Sequence, residues 1–285
     1  MAGIKTLVVV LNYRGEAVLL PCVGSLVSQM EPEDRLLVID QGSEDRLMGV
    51  LKQTHPQVEV VVSPKNGGFA YGMNQGLRLA IARGFDAVWI VNNDVVALEG
   101  ALSKLKQAAT AFGERSIFSP AITTSDGKVW FAGGEIEWLR MRVRHWQQLN
   151  SREPYLSNFL TGCALFIPVS VLKQIGLLNE RFFLYYEDAE YSKRIQEAGG
   201  RLWVVPQARI VHREESQRST DKVYWLVRSG VFFFLTQAGG WRKPIIRAVF
   251  ILRRAKNWLD RTFSPNPVAE KVNRAYTDAL RDLHD

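Results

Sequence analysis

Short apolar runs alternate with longer segments of mixed polarity over residues 1–115 of the chain. The apolar runs are rich in β-branched residues and predict strands at 6–11, 36–39, 58–62 and 88–91. The segments between and after them predict helices at 16–29, 44–53, 71–83 and 98–112. This alternation predicts an α/β fold with a mostly parallel central sheet flanked by helices.

The alternation is lost over 116–158, where glycines and a basic, tryptophan-containing stretch at 138–146 predict irregular strands and a loop. Regular elements then return, namely a strand at 159–167, helices at 168–175 and 186–198, and a strand at 201–205. From residue 221 onward the pattern is helical and basic. We therefore predict a core over 1–220 and a helical, basic C-terminal extension over 221–285.

Polar residues follow three of the predicted strands directly: Asn12, Asp40 and the run Asn92, Asn93 and Asp94. In open α/β sheets the ligand lies outside the carboxyl ends of the strands. These strand ends are therefore where we expect the chemistry, in an architecture typical of nucleotide-binding proteins.

The segment 66–76, between a predicted strand and a predicted helix, is rich in glycine. Glycine lets the backbone approach a ligand closely, and the start of a helix offers free N–H groups to phosphate. The segment matches neither the GxGxxG pattern nor a Walker loop, which argues against a dinucleotide-dependent dehydrogenase and a P-loop kinase. A tight turn with a purely structural role explains the glycines equally well.

Three acids, Glu187, Asp188 and Glu190, follow an aromatic run at the start of a predicted helix. The helix macrodipole stabilises acids at this position, so a structural role explains some of them. A carboxylate at the rim of an aromatic pocket wall also suits a general base. Neighbouring helix positions point about 100° apart, so we expect only one of Glu187 and Asp188 to face a reacting atom. Glu190 and Arg194 are predicted to form a surface ion pair.

Asp94 has two interpretations, as a helix cap or as a ligand for a divalent cation that neutralises a diphosphate. His212 follows a predicted strand, and it is a candidate for a second metal ligand only if the fold places it next to Asp94.

Composition narrows the class of protein. The chain has 285 residues, of which 47% are hydrophobic and 23% charged, as in soluble globular proteins, and no run long enough to span a bilayer. The net charge of +7 favours an anionic partner such as a phosphate-bearing ligand, an acidic membrane surface or nucleic acid. No nucleic-acid-binding module accompanies that charge, so we expect no nucleic-acid partner.

Cys22 and Cys163 are the two cysteines, and their spacing excludes a disulfide framework and a structural zinc site. The N-terminus lacks the pattern of an export signal. Both observations predict a cytoplasmic protein.

Taken in order, these motifs resemble those of the inverting family 2 glycosyltransferases, which have the GT-A fold. The matching segments are 8–13, 38–45, 66–76, 92–94, 161–162, 176–183, 187–188 with Arg194, and His212. The resemblance extends over residues 6–228. It implies a nucleotide-binding half at 1–115 and an acceptor-binding and catalytic half at 116–220.

The resemblance also implies a donor site for a nucleotide-sugar. The residues expected there are Leu11, Asn12, Tyr13, Asp40, Asn66, Gly67, Asn74, Asn92, Asn93 and Asp94. Among them, Asp40 is expected to accept a hydrogen bond from the N3–H group of a uracil or thymine ring. Asp94 matches the last acid of the DxD motif of the family, and His212 matches a histidine that completes the Mg²⁺ or Mn²⁺ site in some members.

On the acceptor side, Asp188 matches the catalytic base that deprotonates the acceptor hydroxyl. Glu187, Tyr186 and Gly162 are expected to contact the acceptor. Attack opposite the nucleotide inverts the anomeric centre.

The DxD motif reads Asn92, Asn93 and Asp94 here, so the site has lost an acid and we expect weaker metal binding. The subgroup is similar to bacterial rhamnosyltransferases that build cell-surface polysaccharide. The expected donor is dTDP-L-rhamnose, with a UDP-hexose as the alternative. A non-catalytic protein that binds sugar nucleotides or glycans is a second hypothesis, and retention of Asp188 argues against it.

The basic and apolar C-terminal pattern has two interpretations, as helices packed on the core or as a segment that contacts anionic lipid peripherally at the inner face of the membrane. In the second, Trp241, Phe250 and Trp258 are expected at the interface, and the acceptor is a saccharide or lipid-linked glycan. The sequence leaves the oligomeric state open.

Overall fold

The structure, a computed structural model, describes residues 3–42, 45–113, 115–213, 220–263 and 266–283. Ser43 and Glu44, which belong to the matching segment 38–45, lie outside these ranges. The strands are β1 (Thr6–Asn12), β2 (Arg35–Asp40), β3 (Glu59–Val62), β4 (Ala87–Asn92), β5 (Val95–Ala97), β6 (Ser116–Thr124), β7 (Val129–Phe131), β8 (Gly134–Glu137), β9 (Arg142–His145), β10 (Tyr155–Leu156), β11 (Ala164–Pro168) and β12 (Arg201–His212). The helices are α1 (Glu16–Val27), α2 (Asp45–Thr54), α3 (Phe69–Ala82), α4 (Ala101–Phe112), α5 (Val169–Ile175), α6 (Glu187–Glu197), α7 (Thr220–Gln237), α8 (Arg242–Phe263) and α9 (Pro267–Asp282).

Ten strands of the described residues form one sheet, in the order β10-β12-β6-β11-β4-β1-β2-β3, with β5 paired to β12 and β7 to β6. β1 runs parallel to β2 and β4, and β2 parallel to β3. β11 lies antiparallel between β4 and β6, and β8 and β9 form a separate hairpin. β12 also runs parallel to β6, so the prediction of a mostly parallel sheet flanked by helices is confirmed. The apolar runs of β1, β2 and β4 are buried, as in such sheets.

The register of the parallel strands brings the predicted polar residues to one edge of the sheet. Asn12 at the end of β1 lies opposite Asp40 at the end of β2. On the other side of β1, Leu11 lies opposite Asn92 at the end of β4. Three segments far apart in sequence therefore meet at one edge.

The prediction of irregular strands and a loop over 116–158 is wrong for its first part, because β6 is a nine-residue strand with a largely buried face. Serine, threonine and proline interrupt the apolar pattern of this strand. Pro120 lies opposite Val205 of β12, where the register shifts between Val205 and Arg209. A proline lacks the N–H group of a regular ladder, so an irregular position accommodates it.

β12 continues for seven residues beyond the predicted end at 205, through Pro206 to His212. Its last residues pair antiparallel with β5, a strand that the sequence analysis did not predict, and His212 lies opposite Val95. This pairing brings His212 next to the residue that precedes β5, Asp94.

The C-terminal helices pack on the turn that precedes α6. Trp225 of α7 stacks on Phe183 with ring centroids 4.2 Å apart, and Ser229 Oγ donates to the carbonyl oxygen of Leu184 at 2.8 Å. α9 is fastened to α7 by the ion pair between Arg228 and Asp282. The division into a core and a C-terminal extension stays a prediction, but the contacts make α7 part of the wall around the acids of α6.

α8 turns its buried face toward α9. Phe250 packs edge-on against Tyr276 and is 6% exposed, which corrects its expected position at a lipid interface. Trp241 and Trp258 are exposed as that interpretation requires. Within the described ranges, no helix is both long and apolar enough to cross a membrane.

Candidate active site

A chain of hydrogen bonds joins the polar residues at the ends of β1, β2 and β4. Asn12 Nδ2 donates to Asp40 Oδ1 at 3.0 Å, and Asn93 Nδ2 donates to Asn12 Oδ1 at 2.7 Å. Asn12 and Asp40 are buried. Because buried polar groups are costly without partners, this chain holds the three strand ends in a single arrangement.

Beside this edge lies a cavity of about 450 Å³, which we call the nucleotide-side cavity. Leu11, Tyr13 and Asn66 line it, as expected for the donor site, and the stacked rings of Phe183 and Trp225 form the opposite wall. Asp40 is not among its lining residues, although the next residue along the chain, Gln41, is.

The glycines of segment 66–76 serve close packing. At Gly68, where φ is +89°, a Cβ atom would overlap the carbonyl oxygen of Phe183. That oxygen accepts a hydrogen bond of 2.8 Å from the N–H group of Phe69. Gly72 and Gly76 let α3 lie directly on Leu11 and Val9 of β1. The structural interpretation of the glycines therefore applies to these positions.

Asn74 does not reach the nucleotide-side cavity, which corrects its expected role. Its side chain is buried, and its Nδ2 donates to the carbonyl oxygen of Leu178 and to Glu180 Oε1 at 2.9 and 2.8 Å. Its Oδ1 accepts from the N–H group of Leu178 at 3.0 Å. Asn74 fastens α3 to the segment before the acids of α6.

A second cavity, of about 330 Å³, adjoins the first, and we call it the catalytic cavity. Predicted residues that line it are Asn92, Asp94, Gly162, Glu187, Asp188 and His212. Phe69, Leu184 and Lys222 line both cavities, so the two form one continuous cleft. Residues from both predicted halves of the core, distant in sequence, meet in the catalytic cavity.

Asp94 and His212 lie on one wall of the catalytic cavity. His212 Nε2 is 3.2 Å from Asp94 Oδ2, and the imidazole packs edge-on against Trp130 at 4.6 Å between centroids. Asp94 Oδ1 and His212 Nδ1 are buried without a hydrogen-bond partner in the described structure. One carboxylate and one imidazole with unused lone pairs fit a divalent cation whose remaining ligands are water and substrate phosphate oxygens. Among the described residues, no third histidine, cysteine or acid joins them.

Asp188 is held in place by two backbone N–H groups. Gly162 donates to Asp188 Oδ2 at 3.0 Å, and Ala189 donates to Asp188 Oδ1 at 2.8 Å. Burial raises the pKa of Asp188 to about 6, although these hydrogen bonds lower it. A fixed carboxylate with a pKa near neutrality suits a general base.

Glu187 is buried beside Asp188, and its Oε2 has no hydrogen-bond partner in the described structure. Burial, and then the charge of Asp188, raise the pKa of Glu187 well above 4.5. Glu187 therefore holds its proton to a higher pH than an exposed glutamate does.

A strained turn sets the direction of these two acids. Tyr185 and Tyr186 have φ of +68° and +69°, in a region that non-glycine residues rarely adopt. Tyr186 packs on Phe233 and Phe234 of α7, and burial raises its pKa to about 12. Tyr185 lines the catalytic cavity instead, which corrects the expected acceptor contact of Tyr186.

The pair of Glu190 and Arg194 is not an ordinary surface ion pair. Glu190 is 7% exposed and contacts Arg194 at 2.9 Å. Arg194 also donates to the carbonyl oxygens of Ile175 and Leu177 at 2.9 and 2.8 Å. The pair fastens α6 to the segment that follows α5.

Tyr185 belongs to the aromatic run that was expected to line a pocket wall, and it does line the catalytic cavity. Three further lining residues were not predicted from the sequence: Trp130, His145 and Lys222. Trp130 and His145 pack edge-on at 4.8 Å in a region that the sequence analysis interpreted as irregular. The dense aromatic and glycine pattern of 130–134 was the available signal. Lys222 has no distinguishing pattern in the sequence, because it is one of many basic residues in the C-terminal segment.

The sheet order and the cleft at the strand ends agree with the GT-A fold that the sequence resembles. The sequence model of Glycosyl transferase family 2 matches residues 7–176, and the chain belongs to this family. The resemblance found in the sequence is thereby confirmed.

Two curated relatives are similar to this chain. N-acetylglucosaminyl-diphospho-decaprenol L-rhamnosyltransferase of Mycobacterium tuberculosis (strain CDC 1551 / Oshkosh) is 24% identical over 255 residues, covering 78% of this chain and 82% of the relative. The low-salt glycan biosynthesis hexosyltransferase Agl10 of Haloferax volcanii is 26% identical over 191 residues, covering 66% of this chain and 60% of the relative. These relatives support the prediction of a rhamnosyltransferase-like hexosyltransferase.

Solved structures share the fold over 98% of this chain. GalNAc-T7 with UDP, GalNAc and Mn²⁺ has a TM-score of 0.68 at 16% identity, and this chain spans 55% of its length. TarS of S. aureus, residues 1–349, has a TM-score of 0.61 at 16% identity, with 79% of its length covered. The mannosyltransferase PcManGT from Pyrobaculum calidifontis, in complex with GDP-Man and Mn²⁺, has a TM-score of 0.57 at 13% identity, with 87% covered.

Proposed function

We propose that this enzyme transfers a hexosyl group, with inversion, from a dTDP- or UDP-sugar to a hydroxyl group of a saccharide or lipid-linked glycan. dTDP-L-rhamnose is the foremost donor, and synthesis of bacterial cell-surface polysaccharide is the setting. Support comes from the mycobacterial relative, whose name states an L-rhamnosyltransferase acting on N-acetylglucosaminyl-diphospho-decaprenol. A UDP-hexose remains the alternative donor, since UDP accompanies the similar fold of GalNAc-T7.

The observation that carries this proposal is the position of Asp188 in the catalytic cavity, across the shared cleft from the nucleotide-side cavity. Its carboxylate accepts the proton of the acceptor hydroxyl as that oxygen bonds to the anomeric carbon. The bond from the anomeric carbon to the diphosphate oxygen breaks, and the nucleoside diphosphate leaves with the electron pair. The N–H group of Gly162 fixes the orientation of the base.

The neighbours of Asp188 have supporting roles in this proposal. Glu187, kept neutral, donates a hydrogen bond to a sugar hydroxyl, which also satisfies a polar atom that is otherwise costly to bury. Tyr185, rather than Tyr186, lines the acceptor side. Gly162 is small enough to leave room beside Phe69, whose ring carbons lie 3.2 and 3.3 Å from a Cβ placed on this glycine.

On the donor side, Leu11, Tyr13 and Asn66 hold the nucleoside in the nucleotide-side cavity. Asp40 supports base recognition from the strand end next to Gln41. Lys222 lines the junction of the two cavities, where its ammonium group attracts the diphosphate.

Asp94 and His212 are the residues that would hold Mg²⁺ or Mn²⁺. The cation, when bound, neutralises charge on the leaving diphosphate. Since this chain supplies only one carboxylate and one imidazole, the affinity for metal without nucleotide is expected to be low.

A panel of donors with purified protein tests the proposal. dTDP-rhamnose, UDP-glucose and GDP-mannose are each supplied with a lipid-linked N-acetylglucosamine acceptor, and the anomeric configuration of the product is determined by NMR. We expect transfer from the dTDP or UDP donor, inverted product and no transfer from GDP-mannose. Tight nucleotide binding with no transfer to any acceptor would favour the non-catalytic binding protein instead.

A further inference from the structure

α8 presents an apolar surface to solvent. Its buried residues, Ile246, Phe250 and Asn257, occupy a single side of the helix. Successive residues are separated by about 100°, so a second apolar stripe falls on the opposite side. We call this stripe, with the adjoining Trp258, the outer face of α8; its residues, all exposed, are Ile245, Ala248, Ile251, Leu252, Ala255, Trp258, Leu259 and Phe263.

Exposure on the outer face is high for such large apolar side chains. Ile251 is 64% exposed, Leu252 is 69% exposed and Phe263 is 77% exposed. Isolated exposed apolar residues are ordinary, but a contiguous apolar face marks an interaction surface. The outer face therefore requires a partner that covers apolar groups.

The charge around the outer face identifies the chemistry of that partner. α8 carries seven basic residues and one acid. By the helical period, Arg247 and Arg254 lie along one edge of the outer face and Lys256 along the other. Lys256 pairs with Asp260, whereas Arg247 and Arg254 form no ion pair with another described residue. An apolar face with basic edges fits an anionic lipid surface.

The tip of the β8–β9 hairpin lies beside α8, next to the buried side of the helix. Arg253 donates to the carbonyl oxygen of Arg140 at 2.5 Å, and the Arg242 guanidinium lies 5.3 Å from the centroid of the Trp138 ring. Leu139, between these contacts, is 54% exposed.

The same hairpin lies between α8 and the turn that precedes α6. Trp138 stacks on Phe233 of α7 at 5.8 Å between ring centroids. Phe233 in turn packs at 5.5 Å on Tyr186, the residue before the catalytic acids. Two ring contacts therefore separate the hairpin tip from the turn that carries Glu187 and Asp188.

We propose that the outer face of α8 docks on the headgroup region of an anionic bilayer, with α8 lying in the membrane plane. This inference goes beyond the proposed function, because it concerns where the protein resides rather than what it transfers. A second copy of the chain fits this surface less well. Whether the two copies of α8 are parallel or antiparallel, a two-fold axis would place a basic edge of one copy against a basic edge of the other, and like charges repel.

Co-sedimentation of the full chain with lipid vesicles tests the proposal. One vesicle preparation contains phosphatidylcholine alone, and the other contains equal parts of phosphatidylcholine and phosphatidylglycerol. We expect binding to the second preparation, weakened by high salt because exposed charges are screened. Absence of binding to the anionic vesicles overturns the proposal.

Two double substitutions test separately the basic edge and the apolar residues of the outer face of α8. Arg247→Glu with Arg254→Glu is expected to lower vesicle partitioning by at least about 25-fold, since each basic contact contributes about fivefold near an acidic surface. Ile251→Ser with Leu252→Ser is expected to lower it by at least about tenfold through loss of apolar burial. Binding that survives both pairs of substitutions contradicts docking through α8.

Matched controls carry the same chemical changes elsewhere. Lys52→Glu with Lys173→Glu changes the net charge equally on exposed positions of α2 and α5, and Val62→Ser with Leu156→Ser removes exposed apolar groups from β3 and β10. Both controls are expected to bind vesicles as the unchanged protein does. An equal loss of binding in the charge control means nonspecific attraction and overturns docking through α8.

Analytical ultracentrifugation without lipid tests the second copy as the occupant. The mass of the unchanged protein and of the Ile251→Ser, Leu252→Ser variant is expected to be the same. A dimer that dissociates in the variant assigns the face to self-association and overturns the lipid proposal. Because sedimentation needs no turnover, a failure to transfer sugar contradicts the proposed function without affecting this result.

Discussion

The polar groups at the ends of β1, β2 and β4 bind one another, whereas those around α6 and His212 have atoms left without partners. In the first region, Asn12 bridges Asp40 and Asn93. In the second, Asp94 Oδ1, Glu187 Oε2 and His212 Nδ1 are buried and unpartnered in the described structure. A buried polar atom without a partner lowers stability, so three such atoms around one cavity favour a ligand that completes their bonding there. The first region is a scaffold, and the second is where substrate chemistry is expected.

The largest effect is expected from Asp188→Asn in the second region. The amide keeps the shape of the side chain but cannot take a proton, so transfer should fall by about 10² to 10⁴-fold. Initial rates with a competent acceptor measure this, while nucleotide binding and thermal unfolding report on the fold. Asp126→Asn, in an exposed loop, is the matched control. A rate within a few-fold of the unchanged enzyme removes Asp188 from the mechanism.

Metal-dependent donor binding is the next effect in size. Asp94→Asn and His212→Gln should each reduce the apparent affinity for Mn²⁺ in the presence of nucleotide by at least about tenfold, with Asp94 the more sensitive. Calorimetric titration with and without Mn²⁺ measures the change. His145→Gln is the control, because that imidazole packs against the same Trp130 ring. Unchanged Mn²⁺ enhancement in both variants assigns Asp94 and His212 a structural role only.

The pH dependence of kcat/KM follows from the raised pKa of Asp188. The base acts when ionised, so kcat/KM should rise with pH through about 6 and then level off. Glu187→Gln should leave the midpoint nearly unchanged if Glu187 is neutral, as the direction of its pKa shift favours, because the amide then replaces one uncharged group by another. A clear fall of the midpoint in this variant means that Glu187 is ionised in the working enzyme.

The raised pKa of Asp188 also affects stability, and the free energy of unfolding is expected to fall over the pH range in which kcat/KM rises. A carboxyl group whose pKa is raised by folding favours the folded state when protonated. The contribution of Asp188 to the free energy of unfolding is therefore present below pH 3.8 and declines as pH rises through about 6. Chemical denaturation of the unchanged protein and of Asp188→Asn across this range measures the difference, and parallel curves contradict the shift.

The smallest effect is expected from Asp40→Ala in the first region. It distinguishes the two regions because it changes stability. Loss of the carboxylate leaves Asn12 Nδ2 short of its acceptor in a buried position, which should lower the free energy of unfolding by about 1–3 kcal/mol. Affinity for UDP and dTDP should fall as well. Asp94→Ala, by contrast, should leave stability nearly unchanged. Equal affinity of the unchanged protein for GDP and dTDP contradicts base recognition at this end of the cleft.

The sequence alone was enough to predict the first half of the sheet. Apolar runs such as 6–11 are buried strands because period and composition are local properties that the chain carries into any fold. The order of the motifs also led to the family and to nine of the residues that line the two cavities.

The tertiary structure decided what depends on contacts between distant segments. β5 is three residues long, and its pairing with β12 brings His212 to Asp94. Asn74 matches a donor-site motif, yet it bonds to Leu178, because side-chain direction depends on how α3 lies against the following segments. Neither the contact between His212 and Asp94 nor the direction of the Asn74 side chain can be predicted from the local sequence pattern.

The C-terminal segment shows the same division. Its amphipathic, basic character is visible in the sequence, but only packing determined that Phe250 faces α9 while Leu252 faces solvent. A helix with two apolar sides can bury either one, and the choice follows from which side meets complementary surface on its neighbours. The sequence therefore determined the kinds of elements and of chemical groups, and the tertiary structure determined which of those groups face one another.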